Sequence, residues 1–299
     1  DAQESRGLGD VYKRQMQQYA KSAGDDKCLA MYGKLISDIL SFIIEGKHPN
    51  IRVDANGLIY SDGHDKPITW MNSIINGRPV VPRSGYIVEF NALWYNALKF
   101  GAKLAKLDNS EEKSNKLEEL AETCKQSFVK TFLNDYGYLF DYVDGNMMDW
   151  SVRPNMIFPV AFDYSPLSPE QKKSVLDICT RELLTPKGLR SLSPKSGGFS
   201  PVYSGAQRNY SYHQGTAWPW LGGFYMEACL KLYKRTRLSF IERQMVGYED
   251  EMNINCLGTI PELSDGNPPF KARGAISFAM NVAEVLRTLN LLEKYSYVK

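Results

Sequence analysis

One order repeats four times along this chain: a helix polar on one side, a long loop rich in aromatics, an apolar helix, then a short connection. Apolar residues at three- and four-residue spacing mark the helices. Leu29, Tyr32, Leu35, Ile36, Ile39, Leu40 and Ile43 give one buried face over 26–47. The segment 87–106 is apolar around most of its circumference, which predicts an interior helix. Further helices are predicted over 110–133, 154–162, 168–183, 216–233, 236–253 and 275–295. Glu111 and Glu112 sit where the positive end of a helix dipole favours carboxylates. Pro154 stands at a first-turn position that tolerates proline.

The connections at 107–109, 163–167 and 234–235 are short, so each joins antiparallel neighbours. Outer–inner hairpins in series predict an all-α toroid, an (α/α) barrel with short β-hairpins in its loops. Every long loop then emerges at the same end, at the N-termini of the inner helices. A closed toroid of this kind has about six hairpins, twelve helices. The chain offers about eight, so the expectation is a partial barrel. Residues 1–15 show neither apolar periodicity nor a signal-peptide core. Their Ser-Arg-Gly-Leu-Gly-Asp-Val-Tyr-Lys-Arg-Gln run is similar to a translated adaptor. We therefore take 1–15 as a non-native leader and 16–299 as the domain, with native sequence starting near Met16 and more of it missing upstream.

Composition excludes several function classes. The net charge is +2 with both signs scattered, so no basic stripe invites nucleic acid or an anionic membrane. No apolar run reaches the length of a membrane span. Cys28, Cys124, Cys179, Cys229 and Cys256 are odd in number and far apart, which predicts buried free thiols in a reducing, cytoplasmic setting.

If the four long loops share one face, their residues form one inventory. The first contributes Asp62, His64, Asp65, Trp70, Asn72, Arg78 and Arg83, and the second Asp141, Asp144, Asp149, Trp150, Arg153 and Asn155. The third contributes Tyr203, Arg208, Tyr212, His213 and Gln214, with Trp218 and Trp220 just beyond. The fourth contributes Glu262, Asp265, Lys271 and Arg273. There is no metal-ligand spacing and no phosphate loop, so no cofactor is expected. Aromatics, carboxylates, arginines and amides suit a carbohydrate: rings stack on sugar faces, and planar polar groups bond adjacent hydroxyls. Glycoside hydrolysis needs two carboxyl groups flanking the anomeric carbon. Composition alone does not choose the pair. Asp149 and Arg153 are expected to brace the second loop as an ion pair, and Glu89 opens an inner helix where the dipole already favours a carboxylate.

Several segments carry a resemblance, in order across about 54–287. They are Thr69-Trp-Met-Asn72, Gly77-Arg-Pro-Val-Val-Pro-Arg83 with Glu89-Phe-Asn-Ala-Leu-Trp-Tyr-Asn-Ala-Leu98, Arg153-Pro-Asn155 and Gly188-Leu-Arg-Ser-Leu-Ser193. To these add Tyr212-His-Gln-Gly-Thr-Ala-Trp-Pro-Trp-Leu221, Gly258-Thr-Ile-Pro-Glu262, Arg273-Gly-Ala-Ile276 and Val282-Ala-Glu-Val-Leu-Arg287. Together they resemble the C-terminal glucosidase domain of glycogen debranching enzymes. The resemblance implies an (α/α)6 barrel that inverts configuration as it hydrolyses α-1,6-linked glucosyl stubs of a branched α-glucan such as glycogen. A partner domain of the same polypeptide would lie upstream.

It also implies roles. Glu262 falls on the general base. Asn72 falls on the general acid, where the family has Asp in a Trp-Met-Asp motif. Trp70, Asp62, His64, Asp65, Arg83, Glu89, Asn155, Tyr212, His213, Gln214 and Trp218 are expected to bind substrate. Asn cannot donate a proton and return to an ionised form, and losing general acid catalysis costs about 10²–10⁴-fold. Three accounts follow: an inactive homologue, an Asp→Asn change introduced into the chain, or an acid supplied by Asp62 or Asp65. A second departure is Ser277-Phe-Ala-Met-Asn281, where relatives have a Gln-Ala-Trp-Ser type run; it reads as variation in core packing.

Overall fold

A computed structural model describes residues 8–254 and 257–297, with side chains from Arg14 onward. Five helices line the inside of an arc. These are α1 (Leu8–Ala23), α3 (Val88–Leu107), the short α5 (Phe158–Ala161), α8 (Pro219–Tyr233) and α10 (Ala279–Tyr297). Outside them lie α2 (Asp25–Ile44), α4 (Glu111–Phe132), α6 (Pro169–Glu182) and α9 (Leu238–Ile254). One more turn, α7 (Arg208–Ser211), lies in the third loop. The predicted alternation is therefore present: α3, α5 and α8 are buried along nearly their whole length, whereas α4 and α6 bury one stripe.

Local chemistry explains the elements. Ser168 and Gln171 bond each other's backbone in a capping box, with Pro169 at the first position, so α6 starts where the sequence says. The span 154–162 was expected as one helix. It is a 3-10 turn, Pro154–Ile157, followed by α5, because Pro159 has no N–H to extend the first turn. Gly222 and Gly223 let α8 approach two helices at once. A Cβ on the first would lie 2.1 Å from the Tyr248 hydroxyl of α9, and on the second 2.4 Å from Glu284 of α10.

Helix α1 runs across the boundary drawn between residues 15 and 16. Its Arg14 is buried and pairs with Glu227 of α8 at 2.6 Å. Arg287 and Lys231 close on the same carboxylate at 2.7 and 2.8 Å. Burial alone would raise the Glu227 pKa, but the three cations outweigh it and hold the group well below its ordinary value. Residues 1–7 of the expected leader lie outside the described residues.

The loops are not loose. β1 (Ile51–Val53), β2 (Ile59–Ser61), β5 (Gly85–Ile87), β6 (Tyr142–Asp144) and β7 (Met147–Met148) form one antiparallel sheet in that order. It joins the first two long loops through Tyr86 opposite Val143. A second sheet joins the other two. Its strands are β8 (Leu184–Thr185), β9 (Gly188–Arg190), β10 (Ala217–Trp218), β11 (Leu263–Ser264) and β12 (Ala272–Arg273), each paired with the next. Ala217 is its centre, facing Arg190 on one side and Ser264 on the other. A separate hairpin, β3 (Ile74–Ile75) with β4 (Arg78–Pro79), follows Asn72 directly. Strands β5 and β10 run straight into α3 and α8, so the sheets fix the loops to the N-termini of inner helices.

Cys28, Cys124, Cys179 and Cys229 are buried and free; Cys256 lies outside the described residues. Among the described residues no helix is long and apolar enough to cross a membrane.

Candidate active site

The first loop presents Asn72 between two pinned neighbours. Met71 is buried and its N–H donates to the Thr69 hydroxyl at 3.1 Å. Ser73 is buried and its hydroxyl donates to the Asn209 carbonyl of the third loop. Asn72 itself is exposed, and its amide has no hydrogen-bond partner among the described residues. Two residues earlier, the Trp70 indole donates to Asn155 Oδ1 at 2.7 Å. The Asn155 amide in turn donates to Asp141 Oδ1 at 2.7 Å. Asp141 pairs with Arg83 at 2.7 Å, and Arg83 with Glu89.

Below the half-buried Trp70, the groups of this chain, Asn155, Asp141, Arg83 and Glu89, are buried. Burial pushes the Asp141 carboxyl up to about 6 despite Arg83 beside it. Burial alone would lower Arg83, but Asp141 and Glu89 outweigh it and hold the guanidinium ionised. Arg153 ties the second loop to the third, donating to the main-chain oxygens of Ser191 (3.1 Å) and His213 (2.8 Å) and to the Gln214 side chain (2.8 Å). The expected Asp149–Arg153 brace takes another form. Arg153 approaches Asp141 at 4.0 Å, and the Asp149 carboxylate accepts the Ser151 N–H, because burial draws the guanidinium inward to carbonyls it can satisfy.

The fourth loop holds Glu262 at both carboxylate oxygens. The Tyr212 hydroxyl donates to Oε1, and the Ala275 N–H donates to Oε2 at 2.8 Å. Gly274 makes this possible. It adopts φ +71°, and a Cβ there would lie 2.3 Å from Oε2. Burial and the Glu262 carboxylate both push the Tyr212 phenol far up, so it stays a donor. Asp265 accepts from Arg273 at 2.8 Å and from the Tyr203 N–H at 2.8 Å, which docks the fourth loop on the third.

A cluster of rings spans these two sides. Trp70 sets its edge against His213, Trp218 and Trp220 at 5.2, 5.5 and 5.2 Å. His213 stacks on Trp218 at 8°, and Tyr212 contacts both. His213 is fully buried, and neither ring nitrogen has a hydrogen-bond partner. Burial first, then Arg153 and Arg83, pull its pKa well below the ordinary value. It is a neutral imidazole with an unused donor and an unused acceptor inside an aromatic wall.

Apart from Asn72, which stands exposed on the first loop, the sequence-predicted residues divide into three groups. Trp70, Tyr212, His213, Trp218 and Glu262 share the ring cluster or touch a member of it. Arg83 and Glu89 are bonded to each other, Gln214 to Arg153, and Asn155 to Trp70 and Asp141. Asp62, His64 and Asp65 are on the exposed rim, with His64 at 3.0 Å from Asp144. Asp141 and Asn281 escaped the predicted set. Asp141 sits in no recognisable motif, and Asn281 lies in the run read as core packing. A cavity of about 590 Å³ lies apart from all of these, between α2, α3 and α4, lined by Leu29, Gly33, Leu40, Gly101 and Lys113.

Inner and outer helices in alternation, with a carboxylate-and-aromatic cluster at the loop end, define a helix-hairpin toroid of the glycoside hydrolase class. Two solved structures share the fold. The neutral trehalase of Saccharomyces cerevisiae superposes with a TM-score of 0.54 at 16% identity, over 69% of this chain and 38% of that one. A GH63 mannosylglycerate hydrolase from Thermus thermophilus, in complex with glucose, gives 0.51 at 16% identity, over 70% of this chain and 48% of that one. The chain belongs to the amylo-alpha-1,6-glucosidase family, whose profile matches residues 11–287. It is 26% identical over 231 residues to the glycogen debranching enzyme of Saccharomyces cerevisiae, a match that spans 62% of this chain and 15% of that protein.

Proposed function

We propose that this chain carries the α-1,6-glucosidase site of a glycogen-debranching protein. Glu262 is the general base, and position 72 is the general-acid site. The observation that carries this reading is the seating of Glu262. Its two oxygens are fixed by Tyr212 and Ala275 beside a ring cluster whose Trp70 lies two residues from position 72. In an inverting hydrolysis the base takes a proton from water while the acid protonates the departing oxygen, with about 6.5–9.5 Å between the two carboxyl groups. Trp70 and Tyr212, both partly exposed, form the wall for a glucosyl ring, and the buried Trp218 and neutral His213 back it. Arg83, Glu89 and Asn155 serve the site from beneath by setting Trp70. Asp62, His64 and Asp65 meet the glucan at the rim. The substrate is a branched α-glucan, the setting is cytoplasmic, and a further domain of the same polypeptide completes the protein.

Asn72 favours a second reading, a glucan-binding relative that has lost turnover. Glucose release from a branched limit dextrin separates the two. The debranching reading expects little release by this chain and a rise of about 10²–10⁴-fold in Asn72→Asp. A variant that binds maltooligosaccharide in calorimetry yet releases nothing supports the binding reading. Activity on trehalose or linear α-1,4 glucan instead would move the chain to a trehalase- or glucoamylase-like substrate.

A further inference from the structure

The run 277–281, which sequence reads as core packing, ends on a side chain whose three partners lie in two other elements. Asn281 is fully buried in the first turn of α10. Its amide nitrogen donates to the Pro261 carbonyl at 2.6 Å and to the Glu262 carbonyl at 2.9 Å. Its amide oxygen accepts the Trp220 N–H at 3.0 Å. All three contacts are long-range, spanning 61, 20 and 19 residues.

Helix α8 explains why the third contact exists. Its first residue is Pro219, and Trp218 before it supplies no side-chain cap. The first N–H that the helix leaves open is therefore that of Trp220, deep in the core. Such a donor must find a partner, and α10 supplies it from across the fold. Asn is the side chain that fits. It offers one acceptor and two donor hydrogens on a short arm, matching one N–H and two carbonyls. Asp at this place would set a carboxylate against two carbonyl oxygens, and Ser would lack the second donor. The surrounding chain completes the fastening: the Phe278 N–H donates to the Ile260 carbonyl, and the Glu262 N–H to the Ala275 carbonyl.

We propose that Asn281 is a positioning residue for Glu262: one amide locks the main chain of the base to the start of the inner helix that carries the ring wall. The proposal rests on Glu262 being the base. Its geometric part does not depend on turnover. By this lock the distance from the carboxylate to Trp218 and Trp220 is set by α8 and α10, not by the loop.

The test uses two readouts on Asn281→Ala and the near-isosteric Asn281→Asp. Amide exchange is followed over 260–276 and, as reference, over the middles of α8 and α10. The expected result is exchange faster by about tenfold or more in 260–276, with the two helix middles still protected. In the Asn72→Asp background, kcat falls by about 10²-fold, as a misplaced catalytic group does, while KM stays nearly constant. Unchanged exchange in 260–276 overturns the proposal. So does a uniform rise through both helices, which marks an ordinary core residue, and so does a raised KM at constant kcat. If the local exchange rises but Asn72→Asp alone releases no glucose, the lock stands and the debranching reading falls.

Discussion

The fourth loop and the first loop hold their functional positions in opposite ways. At Glu262 every polar atom is engaged: both carboxylate oxygens, the backbone N–H with Ala275 and the backbone carbonyl with Asn281. At Asn72 the neighbours are engaged and the side chain is not. Met71 and Ser73 are buried and bonded, and Trp70 is tied down through Asn155 to a buried ion network. At Glu262, the proposed base, the group itself is fixed, whereas at position 72, the proposed acid site, the frame is fixed around a free group. An inverting base must keep one geometry toward a water, which suits a clamp. An acid must meet a leaving oxygen that arrives with substrate, which suits a rigid frame with an open side chain.

The largest expected effect tests the clamped side. In the Asn72→Asp background, Glu262→Gln lowers the rate of glucose release by about 10²–10⁴-fold while maltooligosaccharide affinity stays close to that of the parent. Equal loss in Asp62→Asn or Asp65→Asn, with Glu262→Gln unchanged, would transfer the role to the rim and dissolve the contrast.

Next in size is the frame. Asn155→Ala removes the link between Trp70 and Asp141, leaving a partly buried indole N–H and a buried carboxylate oxygen without their partner. Each unmet group costs about 1–3 kcal/mol, so a melt falls visibly. Oligosaccharide affinity falls with it, because the Trp70 edge is no longer held against His213 and Trp218. If affinity survives while the melt falls, the buried network serves stability and not the ring wall.

The contrast was only half legible in the sequence. Periodicity and capping gave the helices: the Ser168 box and the carboxylates of α4 mark real starts. The start expected at Ala275 came four residues late, at Ala279, and the reason is the site. The Ala275 N–H and carbonyl are both spent on Glu262, and the Phe278 N–H is spent on Ile260. Helix α1 was missed because its residues were set aside as a leader and its first half lacks apolar spacing. Short hairpins in the loops were expected and are present, but their joining into two five-stranded sheets that link loop to loop was not, because strands of two or three residues carry no period. Arg83, in the first loop, and Glu89, at the opening of an inner helix, were both expected to bind substrate. Only the fold brings Asp141 beside Arg83 and turns the trio inward. Family motifs point to Glu262 and position 72 as the proposed pair, but nothing local to Asn281 marks a side chain whose partners lie in two other elements.

The smallest effect is a slope, and it probes the wall between the two sides. His213 is neutral in the folded protein because burial, Arg153 and Arg83 all oppose its protonation. Unfolded, the same imidazole takes up a proton near pH 6.5. Between that pH and its lowered folded value the unfolded state binds more protons, so its contribution to stability is complete above about 6.5 and is lost as the pH falls. Asp141 works in the other direction. Its folded pKa of about 6 lies above the unfolded value of 3.8, so the folded state binds more protons and gains stability as the pH falls through that interval. A single acid titration of the native chain would therefore show a blunted slope. The difference between the native chain and His213→Asn removes the Asp141 part. It should grow by up to about 1.4 kcal/mol per pH unit below 6.5, the native chain losing more. Parallel unfolding curves from pH 7 to 5 would mean that the imidazole takes up its proton as readily in the folded state as in the unfolded one. A charged imidazole would set a cation inside the ring cluster close to Arg153 and Arg83, and the neutral wall between the two sides would be lost.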